Sequence, residues 1–145
     1  MHFTNLLLAS ALALAPTITA YGIATVDIHY HETCSNGEKP HNEVDTSESA
    51  PATKDTCVQL PAKHSFEIDA YSFEATPITP DTTFACHAVG VYNNDECVGI
   101  PLTVLPLFPG EAEAKSRCVR DDYFEDSVFV TLFCEDGEWH QHGGN

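Results

Sequence analysis

Two histidine pairs are the first residues whose types and spacing could do chemistry. His29-x-His31-Glu32 lies in an alternating stretch, and residues i and i+2 of a strand project to one face. Two imidazoles on one face are the beginning of a zinc or copper site. His140-x-His142 repeats the spacing in a glycine-rich C-terminal tail. Neither pair has a third ligand at a defined spacing, so both also read as solvated histidines, and no cofactor is expected. Adjacent carboxylates recur at Asp95-Glu96, Asp121-Asp122, Glu125-Asp126 and Glu135-Asp136. Glycoside hydrolysis needs two carboxyls facing each other across a cleft, whereas neighbours in a turn form a solvated rim. His64, Glu67, His87, Arg117 and Arg120 are the residue types of a ribonuclease-like site, but their spacing is arbitrary. No Gly-x-Ser-x-Gly elbow occurs. Tyr123, Phe124 and Trp139 are candidate aromatic contacts for a partner or a glycan.

The frame that positions these residues begins after residue 20. Leu6 to Ala15 is an apolar run with the length of a signal-peptide core, and Ala20 suits cleavage. The run is too short for a membrane span, which takes roughly 20 residues. Residues 1–20 are therefore read as a signal peptide, and the mature chain from Tyr21 as secreted, extracellular and not inserted in a membrane. Cys34, Cys57, Cys86, Cys97, Cys118 and Cys134 all follow the cleavage point. An even count in an exported chain predicts disulfides throughout, and the absence of a Cys-x2-Cys pair argues against zinc. The pairing expected is Cys57–Cys86, Cys97–Cys118 and Cys34–Cys134. A catalytic thiol is not expected in a fully paired set.

The formal charge is −16, from 22 acidic and 6 basic residues. Such a chain is repelled by nucleic acid and by anionic membranes, so neither is expected as a partner. A monomer is expected.

The chain reads as short strands. Residues 21–34 alternate, with Ala24, Val26, Ile28 and Tyr30 on one side. Residues 35–56 are rich in Ser, Thr, Glu, Asp, Pro and Asn, with Val44 as the one large apolar residue, which predicts a polar mobile loop. Its ends, Cys34 and Cys57, are bridged to each other or to different strands. Residues 57–135 form the disulfide-stapled β core. Within it, His64 to Glu74 alternates with Phe66, Ile68 and Ala70 inward, and a parity slip at Tyr71 suggests a bulge. Thr83 to Tyr92 and Ser127 to Cys134 are apolar on both faces and read as central strands. Prolines confine 101–109 to a sheet edge or an ordered loop. Glu111 to Arg120 is the one plausible helix. Residues 136–145 are a polar tail. The fold class expected is all-β: a small disulfide-stabilised antiparallel sandwich or Greek-key barrel with at most one short helix.

The run from Cys57-Val-x-Leu through Cys86-x5-Tyr92, Asn-Asn-Asp-Glu-Cys97-x-Gly99 and Cys118 to Ser127-Val-Phe-Val-Thr-Leu-Phe-Cys134 resembles the layout of fungal small secreted cysteine-rich proteins. Many of those are candidate effectors. Within it, Tyr92-x4-Cys97-x-Gly99 is similar to the Greek-key signature of βγ-crystallin-like domains, with cysteine in place of the second aromatic. In that resemblance the glycine permits the fold-over of the hairpin and the tyrosine packs on it. The calcium-binding pattern of that family is not matched by Asp121-Asp122-Tyr-Phe-Glu-Asp126-Ser127.

The resemblance implies a secreted, effector-like, non-enzymatic interaction protein that recognises an extracellular host protein or a cell-wall glycan. The alternative is a small extracellular hydrolase, glycosidase- or ribonuclease-like, with an unrecognised site.

Overall fold

The computed structural model describes residues 22–35, 39–120 and 126–135. In chain order these form β1 (Ile23–Ser35), β2 (Lys39–Thr53), β3 (Val58–Pro61), β4 (Ala70–Pro77) and α1 (Thr82–Ala85). There follow β5 (Cys86–Tyr92), β6 (Thr103–Pro106), β7 (Ala114–Lys115), β8 (Val119–Arg120) and β9 (Ser127–Cys134). Residues 1–20, proposed as a signal peptide, lie outside the described residues.

Two antiparallel sheets make the molecule. One has the order β2-β1-β4-β7, with β8 also on β4, and the other has the order β3-β9-β5-β6. The alternation of β1 explains the first sheet. Ala24, Val26, Ile28 and Tyr30 are all buried on one face, while Thr25, Asp27 and His29 are half-buried on the other. Across from them β4 contributes Tyr71, Phe73 and Ala75 to the same inner face. The second sheet answers with Leu60, Val89, Val91, Leu105, Val128 and Val130, and all these side chains join one cluster. Burial of each Val, Leu, Ile or Phe among them stabilises the fold by about 1.5–3 kcal/mol. The described residues form a small disulfide-stabilised all-β sandwich with one short helix.

The tyrosines of the inner face carry polar tips, and these are used. The Tyr30 and Tyr71 rings meet edge to face at 5.4 Å. The Lys63 backbone N–H donates to the Tyr30 hydroxyl, and the Tyr71 hydroxyl donates to the Lys63 carbonyl, each at 3.0 Å. The two rings thereby tie the 62–69 loop to the first sheet.

Residues 35–56 differ from the sequence expectation. Instead of a loop across the whole stretch, β2 runs beside β1 from Ile23↔Thr53 to Ser35↔Lys39. An edge strand needs only a backbone ladder and one buried side, and here Ala50 and Ala52 supply much of that side. The register shifts twice, between Ile28 and His29 and between Tyr30 and His31. The bulges fall on this edge strand, where they twist the free edge away from further pairing. No shift interrupts the β1–β4 register, so the slip expected at Tyr71 is not a bulge.

Glu111 to Arg120 also differs, because it is extended rather than helical. Ala114 is buried and pairs with Ala75, and Ser116 closes the edge by donating its N–H to the Phe73 carbonyl at 2.8 Å. Tertiary pairing overrides local helix propensity here. The helix instead occupies Thr82–Ala85, ahead of β5. β5 and β9 are central strands, and β6 is a sheet edge bounded by Pro101, Pro106 and Pro109. Phe66, expected inward, is fully exposed, whereas Ile68 is buried as the alternation predicts.

All six cysteines are paired, but not as expected. The bridges are Cys34–Cys118, Cys57–Cys97 and Cys86–Cys134, in place of Cys57–Cys86, Cys97–Cys118 and Cys34–Cys134. Register explains the first difference, since Cys86 on β5 stands directly opposite Cys134 on β9. Loop geometry explains the second, since the chain after β5 brings Cys97 to the start of β3. Cys34 is then left to Cys118, at the end of the first sheet that β1 and β8 share. Every disulfide joins segments of one sheet, so the two sheets are held together by apolar packing and by a backbone bridge between Lys54 and Leu132.

Candidate functional site

Two surfaces gather side chains that could act. The first is the outer face of the first sheet. β1 projects His29 there, β2 brings Glu43, and β4 brings Ser72 and Glu74. His29 Nδ1 lies 3.1 Å from Glu43 Oε1, and its Nε2 lies 3.8 Å from Glu74 Oε2. Glu74 also holds Lys115 Nζ at 3.2 Å, and Lys115 reaches Glu113 at 3.1 Å. These hydrogen bonds to Glu113 and Glu74 raise the Lys115 ammonium above its ordinary pKa, and the bond to Lys115 lowers that of Glu113.

His31 is buried on the same strand, with Nε2 2.7 Å from Ser72 Oγ. Its Nδ1 has no hydrogen-bond partner among the described residues. Burial lowers the His31 pKa, the nearby Glu43 carboxylate opposes that shift, and His29 adds to it. The His29 and His31 pair is thus engaged by Glu43 and Ser72. Among the described residues no group of three or more His, Cys, Asp and Glu side chains is arranged to hold a metal ion.

The ribonuclease-like residues are not brought together. His64 packs on Tyr71 beside the first sheet, while His87 stands on β5 in the second and stacks on Phe133. Glu43 and Glu74 flank one imidazole on a sheet face and do not oppose each other across a cleft. Tyr123, Phe124, Trp139, His140 and His142 lie outside the described residues.

The second surface is apolar and was not legible as a site. Val98 and Ile100 stand in solvent in the loop between β5 and β6, with Ile100 91% exposed. The loop that carries them is strongly restrained. Cys97 is bridged to Cys57 and its backbone is left-handed, at φ 52°. Asn94 clamps the far side: its Oδ1 accepts from the Val98 N–H at 3.1 Å, and its Nδ2 donates to the Val98 carbonyl at 3.0 Å. Gly99 follows at φ 86°, a conformation that favours glycine. Nothing packs over Gly99, and the Tyr92 ring lies against Gly90 instead. Beside this loop Ile100, Pro101 and Leu102 line a cavity of about 560 Å³ with the Cys34–Cys118 bridge and Arg120.

At the other end of the sandwich, Phe84, Pro77, Pro80, Gly110, Glu111 and Ala112 line a groove of about 580 Å³. Phe84 is 68% exposed there. In the sequence Pro77, Pro80 and Asp81 spell a turn, which marks a change of direction but not a surface.

No family model matches this chain, no curated protein matches its sequence, and no solved structure matches its fold.

Proposed function

We propose that this chain is a secreted, extracellular recognition protein without a reaction of its own, effector-like in kind, which binds an extracellular protein or a cell-wall glycan. The observation that carries this reading is the restrained apolar loop. Exposed Val98 and Ile100 contribute nothing to the core, yet a disulfide, an asparagine clamp and two left-handed residues fix the backbone beneath them. Left-handed backbone at a non-glycine residue costs on the order of 1 kcal/mol or more and persists only where the surroundings enforce it. A loop already fixed in one shape loses less entropy on binding, which is the physical use of such restraint. Export, which is read from the sequence, fits a frame whose cysteines are all paired.

The test is capture by the immobilised, oxidised mature protein from extracellular protein and cell-wall glycan fractions, beside a reduced and alkylated control. Retention of one partner by the oxidised form alone supports the reading. Equal retention by the reduced form, or none by either, counts against it.

One observation favours the second reading, a small extracellular hydrolase. Ser72 Oγ is hydrogen-bonded to His31 Nε2 at 2.7 Å, the contact by which a histidine base activates a hydroxyl nucleophile. Turnover of an ester, glycan or RNA substrate by the wild type, lost in Ser72→Ala, would establish it.

A further inference from the structure

We propose that the groove under Phe84 binds an arginine-bearing apolar segment of a partner protein. This goes beyond the loop of the recognition reading, which lies at the other end of the sandwich, and rests on that reading only in taking the chain to bind a partner protein. The walls are stiff. Pro77 and Pro80 form one side, and the short helix between them and β5 is pinned by its threonines. Thr82 Oγ1 donates to the Ile23 carbonyl at 3.4 Å, and Thr83 Oγ1 donates to the Pro80 carbonyl at 2.9 Å. The other side is the turn at Gly110, whose φ is 90°, closed by the Glu111 N–H donating to the Phe108 carbonyl at 3.1 Å. A groove whose walls do not move loses little entropy when it is filled.

Its chemistry selects the occupant. The lining is proline, threonine, alanine and one exposed aromatic ring, so the contact surface is largely apolar. The charged group in the lining is Glu111, and Asp81 adjoins Pro80. No cation lines the groove among the described residues, and Lys115, four residues along the chain from Glu111, is engaged by Glu74 and Glu113. On a chain of formal charge −16, this leaves an uncompensated acid beside an aromatic face. A guanidinium satisfies both at once, stacking on the phenyl ring and hydrogen-bonding in a fork to the carboxylate, while its stem and an apolar neighbour cover the prolines. A neutral glycan could stack on Phe84 but would leave the charge of Glu111 unused.

The test is titration of the oxidised, 15N-labelled chain with acetyl-Arg-Leu-Arg-Leu-amide, at moderate salt, followed by amide chemical shifts. Acetyl-Glu-Leu-Glu-Leu-amide and a chitin hexamer are the comparison ligands. The arginine peptide is expected to shift the amides of 76–84 and 110–112. Phe84→Leu and Glu111→Gln should each weaken it about three- to tenfold. Glu67→Gln, the same charge change in the loop at the opposite end of β4, should not. Phe84 is exposed, so Phe84→Leu tests the ring without disturbing the core, and the dispersed spectrum confirms folding. Three outcomes overturn the assignment: shifts confined to the 97–102 loop, equal loss in Glu67→Gln, or preference for the chitin hexamer. None of these bears on the capture experiment, which tests recognition itself, so the two failures are distinguishable.

Discussion

Cys57 and Cys97 hold their Cα atoms 5.6 Å apart, joining the start of β3 to the loop that leaves β5. Val98, the next residue, points into solvent. The bridge therefore acts on a surface as well as on the start of β3. Its partner in this task is Asn94, whose side-chain amide makes both hydrogen bonds to the Val98 backbone. Cys57, Cys97 and Asn94 thus set the shape in which Val98 and Ile100 are presented.

Asn94→Ala tests that arrangement without touching a disulfide. Two side-chain hydrogen bonds to the Val98 backbone and a longer one to Asn93 are lost at an exposed site, where each is worth at most about 0.5–1.5 kcal/mol. Global stability in urea should fall by about 1 kcal/mol, because water replaces part of the loss. Amide exchange should rise in 94–100 and stay unchanged in β9.

The tyrosine clamp on Lys63 makes a different prediction. Tyr30→Phe and Tyr71→Phe each remove one hydrogen bond to the Lys63 backbone and should each cost about 1 kcal/mol. Because both act on one peptide segment, the double variant should cost less than the sum of the singles, read from urea midpoints in a double-mutant cycle.

Gly90 sits where two aromatic rings of the second sheet, Tyr92 and Phe133, close over the backbone. A Cβ there would meet Phe133 at 2.7 Å and Tyr92 at 2.8 Å. Gly90→Ala gains roughly 0.5–1 kcal/mol from chain entropy but loses about 1–3 kcal/mol to overpacking. The net effect should be destabilisation, visible as a lower Tm.

His31 fixes the sign of one pH dependence. Its pKa is lowered in the fold, chiefly by burial, so below the ordinary histidine value the unfolded chain binds the proton that the folded chain refuses. The stability that this group allows is full above the ordinary value. It is lost as pH falls from there through the folded value. Glu43, which faces it from β2, opposes the effect, and His29 on its own strand adds to it. The neighbouring Glu74 and Lys115 are paired with each other. His31→Gln should therefore flatten the decline in urea midpoint between neutral and mildly acidic pH. An unchanged slope would place the decline on other groups.

How much of this was legible in the sequence depended on where burial left a pattern. The alternation of Ala24, Val26, Ile28 and Tyr30 marked β1, and the unbroken apolar run of Ser127 to Cys134 marked β9, because both bury large side chains. β2 left no such trace. Its buried residues include Ala50 and Ala52, and its stability comes from the ladder that β1 provides, which no local pattern records. Ala114 and Ser116 were hidden behind a helix-favouring composition, since their partners Ala75 and Phe73 lie far away in the chain. The bridges could not be read for the same reason: the Cys86–Cys134 pair is a consequence of strand register. Of the candidate site, the histidine pair was visible as spacing. The partners Ser72, Glu43 and Glu74 were not, and neither was the exposure of Ile100, because apolar residues near a turn look alike whether they point in or out.

The central claim is that the bridged loop after Tyr92 is a recognition surface. The most direct measurement is capture of an extracellular partner by the oxidised wild type, the reduced and alkylated chain, and an oxidised Ile100→Ser variant of unchanged Tm. The account predicts that the wild type alone retains the partner. Equal retention by all three, or by none, would contradict it.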